Sequence, residues 1–178
     1  MANSAVDIAN SALILVGADR ISSLSDGIKP ARLINEMFDD QRDKLLTHHP
    51  WNFAIKRQAL ARSTTDPVYD YSYAYVLPSD CLRVIDTNLG DDSWKREGDT
   101  IVANFSDVKI RYIAKVTDIS KWSWSFREAL AYKIAVQLAY SLVQSTSLAN
   151  SLKQDYLAIV RDAKAQDAAF PDGYEVRI

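Results

Sequence analysis

The sequence predicts an α+β fold: an antiparallel four-helix bundle from the N- and C-terminal thirds, an inserted antiparallel β-sheet region, and an extended C-terminal arm. Three observations predict it. Apolar residues recur at helical spacing as far as His49 and again after Asp118; from Trp51 to Val116 the spacing shortens to two; beyond Asp167 neither period holds. The expected bounds are 1–50 and 119–169 for the bundle, 51–118 for the β-rich insertion and 170–178 for the arm.

The first helix is read from Val6, Ala9, Leu13 and Val16, with Ser4 and Asp7 as an N-cap pair and Gly17 as its stop. A turn-rich link, 22–27, leads to Pro30 at a first helical position. Ile34, Phe38, Gln41 and Leu45 then mark one face down to His49, and Pro50 ends the helix because the residue before proline is pushed out of the α region. Trp51, Phe53 and Ile55 alternate with Asn52, Ala54 and Lys56 as a strand would. After a polar loop at 62–67, Tyr69, Tyr71, Tyr73 and Tyr75 do the same. Further strands are read at 82–88, at 94–97 and 100–105 around a Gly98-Asp99 turn, and at 108–116, giving one sheet of about five strands. A third helix starts at a Ser125/Glu128 capping-box pattern with the stripe Leu130, Ile134, Leu138 and Leu142. A fourth starts near Ser147 with Leu148, Leu152, Tyr156, Ile159 and Ala163. Two antiparallel pairs of helices would bury these stripes as one bundle.

The chain has 178 residues, 48% of them hydrophobic and 25% charged, which suits one folded core. No stretch reads as a membrane span. The first residues lack a basic n-region and 12–16 is too short an apolar run for a signal sequence, so the expected place of synthesis and residence is the cytoplasm. One cysteine, Cys81, excludes an internal disulfide and is read as a small buried hydrophobe. With 21 basic and 23 acidic side chains the net charge is −2, which disfavours tight DNA binding as the main role.

No residue pattern is arranged for chemistry, so no catalytic, metal or cofactor residues are expected. The two histidines, His48 and His49, are adjacent and point about 100° apart on a helix, a poor metal pair better read as a solvated helix end. There is no Gly-x-Ser-x-Gly elbow and no glycine-rich phosphate loop. Glu97 with Asp99, or Asp91 with Asp92, could imitate a glycosidase pair, but in turns they serve as solvating charges. The tyrosine row, with Trp94, Trp122 and Trp124, could stack bases or sugars; core or subunit interface is the simpler reading, and Trp122 and Trp124 stand where a hydrophobic staple would. Lys109, Arg111 and Lys115 fall on alternate positions of one strand and could touch phosphates, although such a trio is usually a solvated sheet face. Phe170, Pro171, Tyr174, Val176 and Ile178 form a tail that is either frayed or ordered by a partner.

Tyr73-Ala-Tyr-Val-Leu-Pro-Ser-Asp-Cys-Leu-Arg83, with His49-Pro-Trp-Asn-Phe-Ala54 before it and Trp94-Lys-Arg-Glu-Gly98 after it, resembles the tail tubular protein A family, the head-to-tail adaptors of short-tailed bacteriophages. Shorter likenesses run from Ala12-Leu13 to Asp162-Ala163, so the resemblance covers nearly the whole chain and rests on spacing rather than one motif. It implies a helical bundle with a β region, no catalytic centre and no cofactor. It also implies a ring, usually twelvefold, between a portal protein and a tail nozzle of the tail tubular protein B type, placed at the head-tail junction of the virion. The same resemblance implies a portal-docking arm, whose place Phe170, Pro171, Tyr174, Val176 and Ile178 occupy. A ring subunit of this kind is expected to be a monomer or weak oligomer alone and to touch passing DNA only transiently. The alternatives are a peptidoglycan-degrading lytic enzyme and a cytoplasmic DNA-binding module.

Overall fold

Residues 4–169 are described by the computed structural model; the expected arm, 170–178, lies outside them. Among the described residues are four helices, α1 (Ala5–Leu15), α2 (Lys29–His48), α3 (Trp124–Ser141) and α4 (Thr146–Ala169). Seven strands lie between α2 and α3: β1 (Ile55–Ala59), β2 (Ala61–Arg62), β3 (Tyr73–Val76), β4 (Cys81–Thr87), β5 (Trp94–Glu97), β6 (Thr100–Ala103) and β7 (Lys109–Ala114). No described helix is long and apolar enough to cross a membrane. The chain divides into two compact units, one holding the helices and the other Ala54–Val116.

The α+β composition is present, but the expected four-helix bundle is not. In the helical unit α1, α2 and α4 each pack along α3, and no other pair of helices packs extensively. The reason is written in α3. Phe126, Leu130, Ile134 and Leu138 are buried on one side, and Ala129, Ala131, Ala135 and Ala139 are buried on the others. A helix that is apolar nearly all round serves as a buried centre, and the small alanines let neighbours approach it from several directions. The sequence stripe marked only its larger residues and so suggested two matched pairs.

Local signals set the helix ends. Ser4 and Asp7 make a reciprocal capping box, each side chain accepting the other's backbone N–H at 3.1 Å. Gly17 closes α1 at φ +70°, a conformation costly for any residue with a Cβ, while the Ala18 N–H reaches back to the Leu13 carbonyl. The cap of α3 is Ser123, which accepts from the Phe126 N–H, and the expected cap Ser125 is instead a buried residue inside the helix. Arg42 is buried on α2 between Asp39 and Asp43, both at 2.7 Å. Lys133 of α3 lies over the Tyr156 ring of α4, and burial, followed by the charge of Lys44, pushes its ammonium pKa down.

The strands form two antiparallel sheets, not the single sheet expected: β1-β7-β4 and β2-β3-β6-β5. They share one core of Tyr75, Leu77, Ile101, Ala103, Val108, Ile110, Tyr112 and Ala114. Two expected strands also fail in part. Asn52–Ala54 is a 3-10 turn, so the strand begins at Ile55. Only the second half of the tyrosine row is a strand. Asp70 sits at φ +66° and the Tyr71 N–H bonds the Tyr69 carbonyl, which turns the chain and leaves Tyr69 77% exposed. At the β5–β6 hairpin Gly98 takes φ +56° at the first loop position, as a two-residue turn favours.

Candidate polyanion-facing surface and partner surfaces

Pairing places a set of cations on one face of the β1-β7-β4 sheet. Directly paired residues share a face, and Arg57 pairs with Arg111, which pairs on its other side with Asp86; Arg83 pairs with Ile113. Alternation along β7 adds Lys109 to that face and sends Ile110, Tyr112 and Ala114 to the core. A shallow groove of about 400 Å³ runs there, lined by Arg57, Asp86, Asn88, Lys109 and Arg111 among others. Segment Ala54–Val116 holds nine Lys and Arg and nine Asp and Glu, so this face is a separation of charge within a neutral unit. Arg57 beside Arg111 opposes like charges and costs stability, which the ion pair of Arg111 with Asp86 offsets. Lys109 is turned toward Asp107 at 2.8 Å, and the side-chain oxygen Oδ1 of Asn88 accepts its backbone N–H.

Lys109 and Arg111 therefore come together, whereas Lys115 does not join them. It follows the last residue of β7, its N–H donates to the Asp80 carbonyl, and the buried Ile113 interrupts the row. Arg57 and Arg83 were missed by sequence reasoning, because only strand register reveals that they share the face of Arg111. The chemistry available is reversible, salt-sensitive contact with phosphates or carboxylates. The five arm residues Phe170, Pro171, Tyr174, Val176 and Ile178 fall outside the described residues.

Behind this face a polar pin closes the sheet. Tyr112 donates from its hydroxyl to Asp80 at 3.0 Å, and Lys56 meets the other Asp80 oxygen at 2.6 Å. Burial pushes the Asp80 carboxyl pKa up, but the Lys56 and Tyr112 bonds more than reverse this and hold it low. The Tyr112 phenol is pushed up to about 12, first by burial and then by Asp80.

The helical unit carries two further features. Between α1 and α3 an apolar groove of about 390 Å³ is lined by Ile8, Ile14, Leu15, Trp124, Ala131 and Tyr132, with Ser11, Arg127 and Glu128 at its rim. Ile14 is 52% and Trp124 48% exposed, so Trp124 does not act as a buried staple; Trp122 does pack on Phe126. The other feature is a clamp on the last turn of α4. Asp167, with a side chain only 9% exposed, accepts the Asn52 N–H at 3.1 Å and lies 3.2 Å from His49 Nε2. Asn52 Nδ2 in turn donates to the Asp167 carbonyl at 2.5 Å. Burial raises the Asp167 pKa despite the opposing pull of Asn52 and His49. His49 is thus part of a structural contact and not a solvated helix end. The nearby rings of Trp51, Phe53, Trp122 and Phe126 meet edge-on or stacked, with Trp51 Nε1 donating to the Leu45 carbonyl.

Among the described residues no group of three His, Cys, Asp or Glu side chains could hold a metal ion. Asp91, Asp92, Glu97 and Asp99 are exposed around the β5 hairpin. Cys81 is a free, half-buried thiol. Neither the protein-family models nor the curated proteins compared with this chain match it.

Proposed function

We propose that this chain is an adaptor subunit that joins a portal ring to a tail nozzle in a short-tailed phage particle, as a structural part that catalyses no reaction. The observation that carries the reading is the apolar surface left on the helical unit: Ile14 and Trp124 at the α1–α3 groove, with Tyr140, Val143 and Leu157 elsewhere. Large exposed apolar groups of this kind suit contact with other proteins. A ring needs two different faces per subunit, and separate apolar sites on one unit meet that need. The segment likeness from Tyr73 to Arg83 and from His49 to Ala54 supports the family assignment.

The cationic sheet face fits the same role. A conduit must let DNA pass without holding it, and a neutral unit with one modest basic face offers contacts that salt weakens. The role is tested by mixing the purified protein with portal particles and imaging the product. Rings seated on the portal, with little self-assembly in its absence, are expected. Protein that ignores portals while degrading peptidoglycan, with the activity lost in Glu97→Gln, would replace the proposal with the lytic enzyme. Tight duplex binding at physiological salt would replace it with the DNA-binding module.

A further inference from the structure

The α1–α3 groove lies at the start of α3, where Trp124, Arg127, Glu128, Ala131 and Tyr132 form the i, i+3, i+4, i+7, i+8 face of the helix. Its floor is apolar, and its rim carries one cation and one anion, so it presents no net charge. The other end of α3 is its counterpart. Tyr140 follows Trp124 by sixteen positions, which sets it about 24 Å further along the axis and about 160° around it. There Tyr140 is 47% and Val143 41% exposed, at the corner where α3 gives way to α4. No Asp, Glu, Lys or Arg occurs from 134 to 152, although nineteen residues of a chain that is 25% charged would ordinarily carry about five. The corner is also fixed in shape. The Val143 N–H donates to the Leu138 carbonyl at 3.2 Å, the Ser145 N–H to the Ala139 carbonyl at 2.9 Å, and Gln144 turns the chain at φ +56°.

We propose that the α3–α4 corner of one copy docks into the α1–α3 groove of the next. The proposal rests on the adaptor reading, since it supplies the contact between neighbours that a ring requires. An uncharged corner enters an apolar floor without burying an unpaired charge. The most exposed apolar residues of the strand unit, Val68 and Tyr69, stand between Asp66 and Asp70 and would bring carboxylates with them. Tyr140 brings a hydroxyl that the polar rim of Ser11, Arg127 and Glu128 is equipped to bond. Corner and groove are different surfaces, at opposite ends of α3 and on different sides of it. The contact is therefore heterologous, and a bound pair still offers one corner and one groove. A few side chains bury far less than the about 800 Å² per partner of a stable interface, so copies stay apart in dilute solution and join when something holds them side by side.

Sedimentation of the full-length protein tests this with no portal present. Expected is a mass that rises with concentration up to about 1 mM and passes beyond the dimer. Val143→Asp and Ile14→Asp change exposed side chains, and each alone should sediment as a monomer with an unaltered circular dichroism spectrum. Mixed together they should form a dimer and go no further, because the first keeps a groove and the second keeps a corner. Tyr140→Gln and Trp124→Gln repeat the test if an aspartate unsettles either helix. A wild-type monomer throughout that range would overturn the proposal. Association of either variant alone to the wild-type extent would do the same, since the contact would then lie elsewhere or pair like with like, and so would a mixture that stays monomeric. Seating on portals can succeed while this contact fails, or fail while it holds, so the two readings are separable.

Discussion

The helical and strand units solve the problem of a small core in opposite ways. In the helical unit one buried element, α3, packs against three others, and an aromatic group of Trp51, Phe53, Trp122 and Phe126 fills the space near its first turn. In the strand unit the centre is divided: β7 lies between β1 and β4 in one short sheet, β3 and β6 are the inner strands of the other, the two sheets share a core, and the polar pin Tyr112–Asp80–Lys56 ties β7 and β1 to the residue before β4. The difference teaches where damage concentrates. A centre-based core fails when its middle is cut, whereas a distributed one loses stability in smaller steps.

Trp51→Ala should show this most sharply. Its ring is fully buried and its Nε1–H is bonded, so the change leaves a large cavity and an orphaned Leu45 carbonyl, at a cost of about 3–5 kcal/mol. Chemical denaturation followed by helical circular dichroism is the check. A loss no larger than that of a surface substitution would break the contrast between the units.

Asp167→Ala comes next, at about 1–3 kcal/mol, because the Asn52 N–H loses its buried acceptor. A carboxylate in the last turn of a helix is disfavoured by the helix dipole, so Asp167→Asn, which keeps an acceptor oxygen, should recover most of the loss. Amide exchange in the last turn of α4, alongside denaturation, separates a clamp from an incidental contact. Equal loss in both variants would assign the effect to charge alone.

The same contrast explains what the sequence could and could not disclose. Capping at Ser4 and Asp7 and the strands at 94–97 and 109–114 are local: a cap residue, a turn glycine or an alternating pattern settles them within a few positions. The packing of three helices on α3 is not local. It depends on alanines that score as weak hydrophobes yet are buried because they are small. The tyrosine row misled for a similar reason, since period two persists through Tyr69 and Tyr71 while Asp70 turns the backbone. Of the candidate surface, Lys109 and Arg111 were visible in one strand. Arg57, Arg83 and Asp86 arrive from other strands through pairing, and Asn52 meets Asp167 across most of the chain.

Within the strand unit, Tyr112→Phe should cost about 1 kcal/mol, the net worth of one hydrogen bond. It also changes the alkaline limb. The folded phenol pKa of about 12 exceeds the unfolded value near 10, so the native state holds the proton more tightly. Stability is then complete below about pH 10 and falls as the pH rises toward 12. The Phe variant should lose that part of the slope when unfolding free energy is measured across the alkaline range. An unchanged slope would mean that Tyr112 is not the group responsible.

The smallest effect on folding belongs to the cationic face, and its outcome separates architecture from function. Arg57→Gln and Arg83→Gln remove exposed charges, so each should leave stability within about 0.5 kcal/mol. Arg57→Gln also relieves the opposition to Arg111, which shifts its small effect toward stabilisation. Binding of a model polyanion at low salt should nevertheless weaken in both, and the dependence of log K on log salt should become shallower with each phosphate that is no longer neutralised. If stability and binding both stay unchanged, the face is solvated surface. If binding falls while folding holds, these arginines are kept for a ligand, because the like-charge pairing of Arg57 with Arg111 gives the fold no benefit of its own.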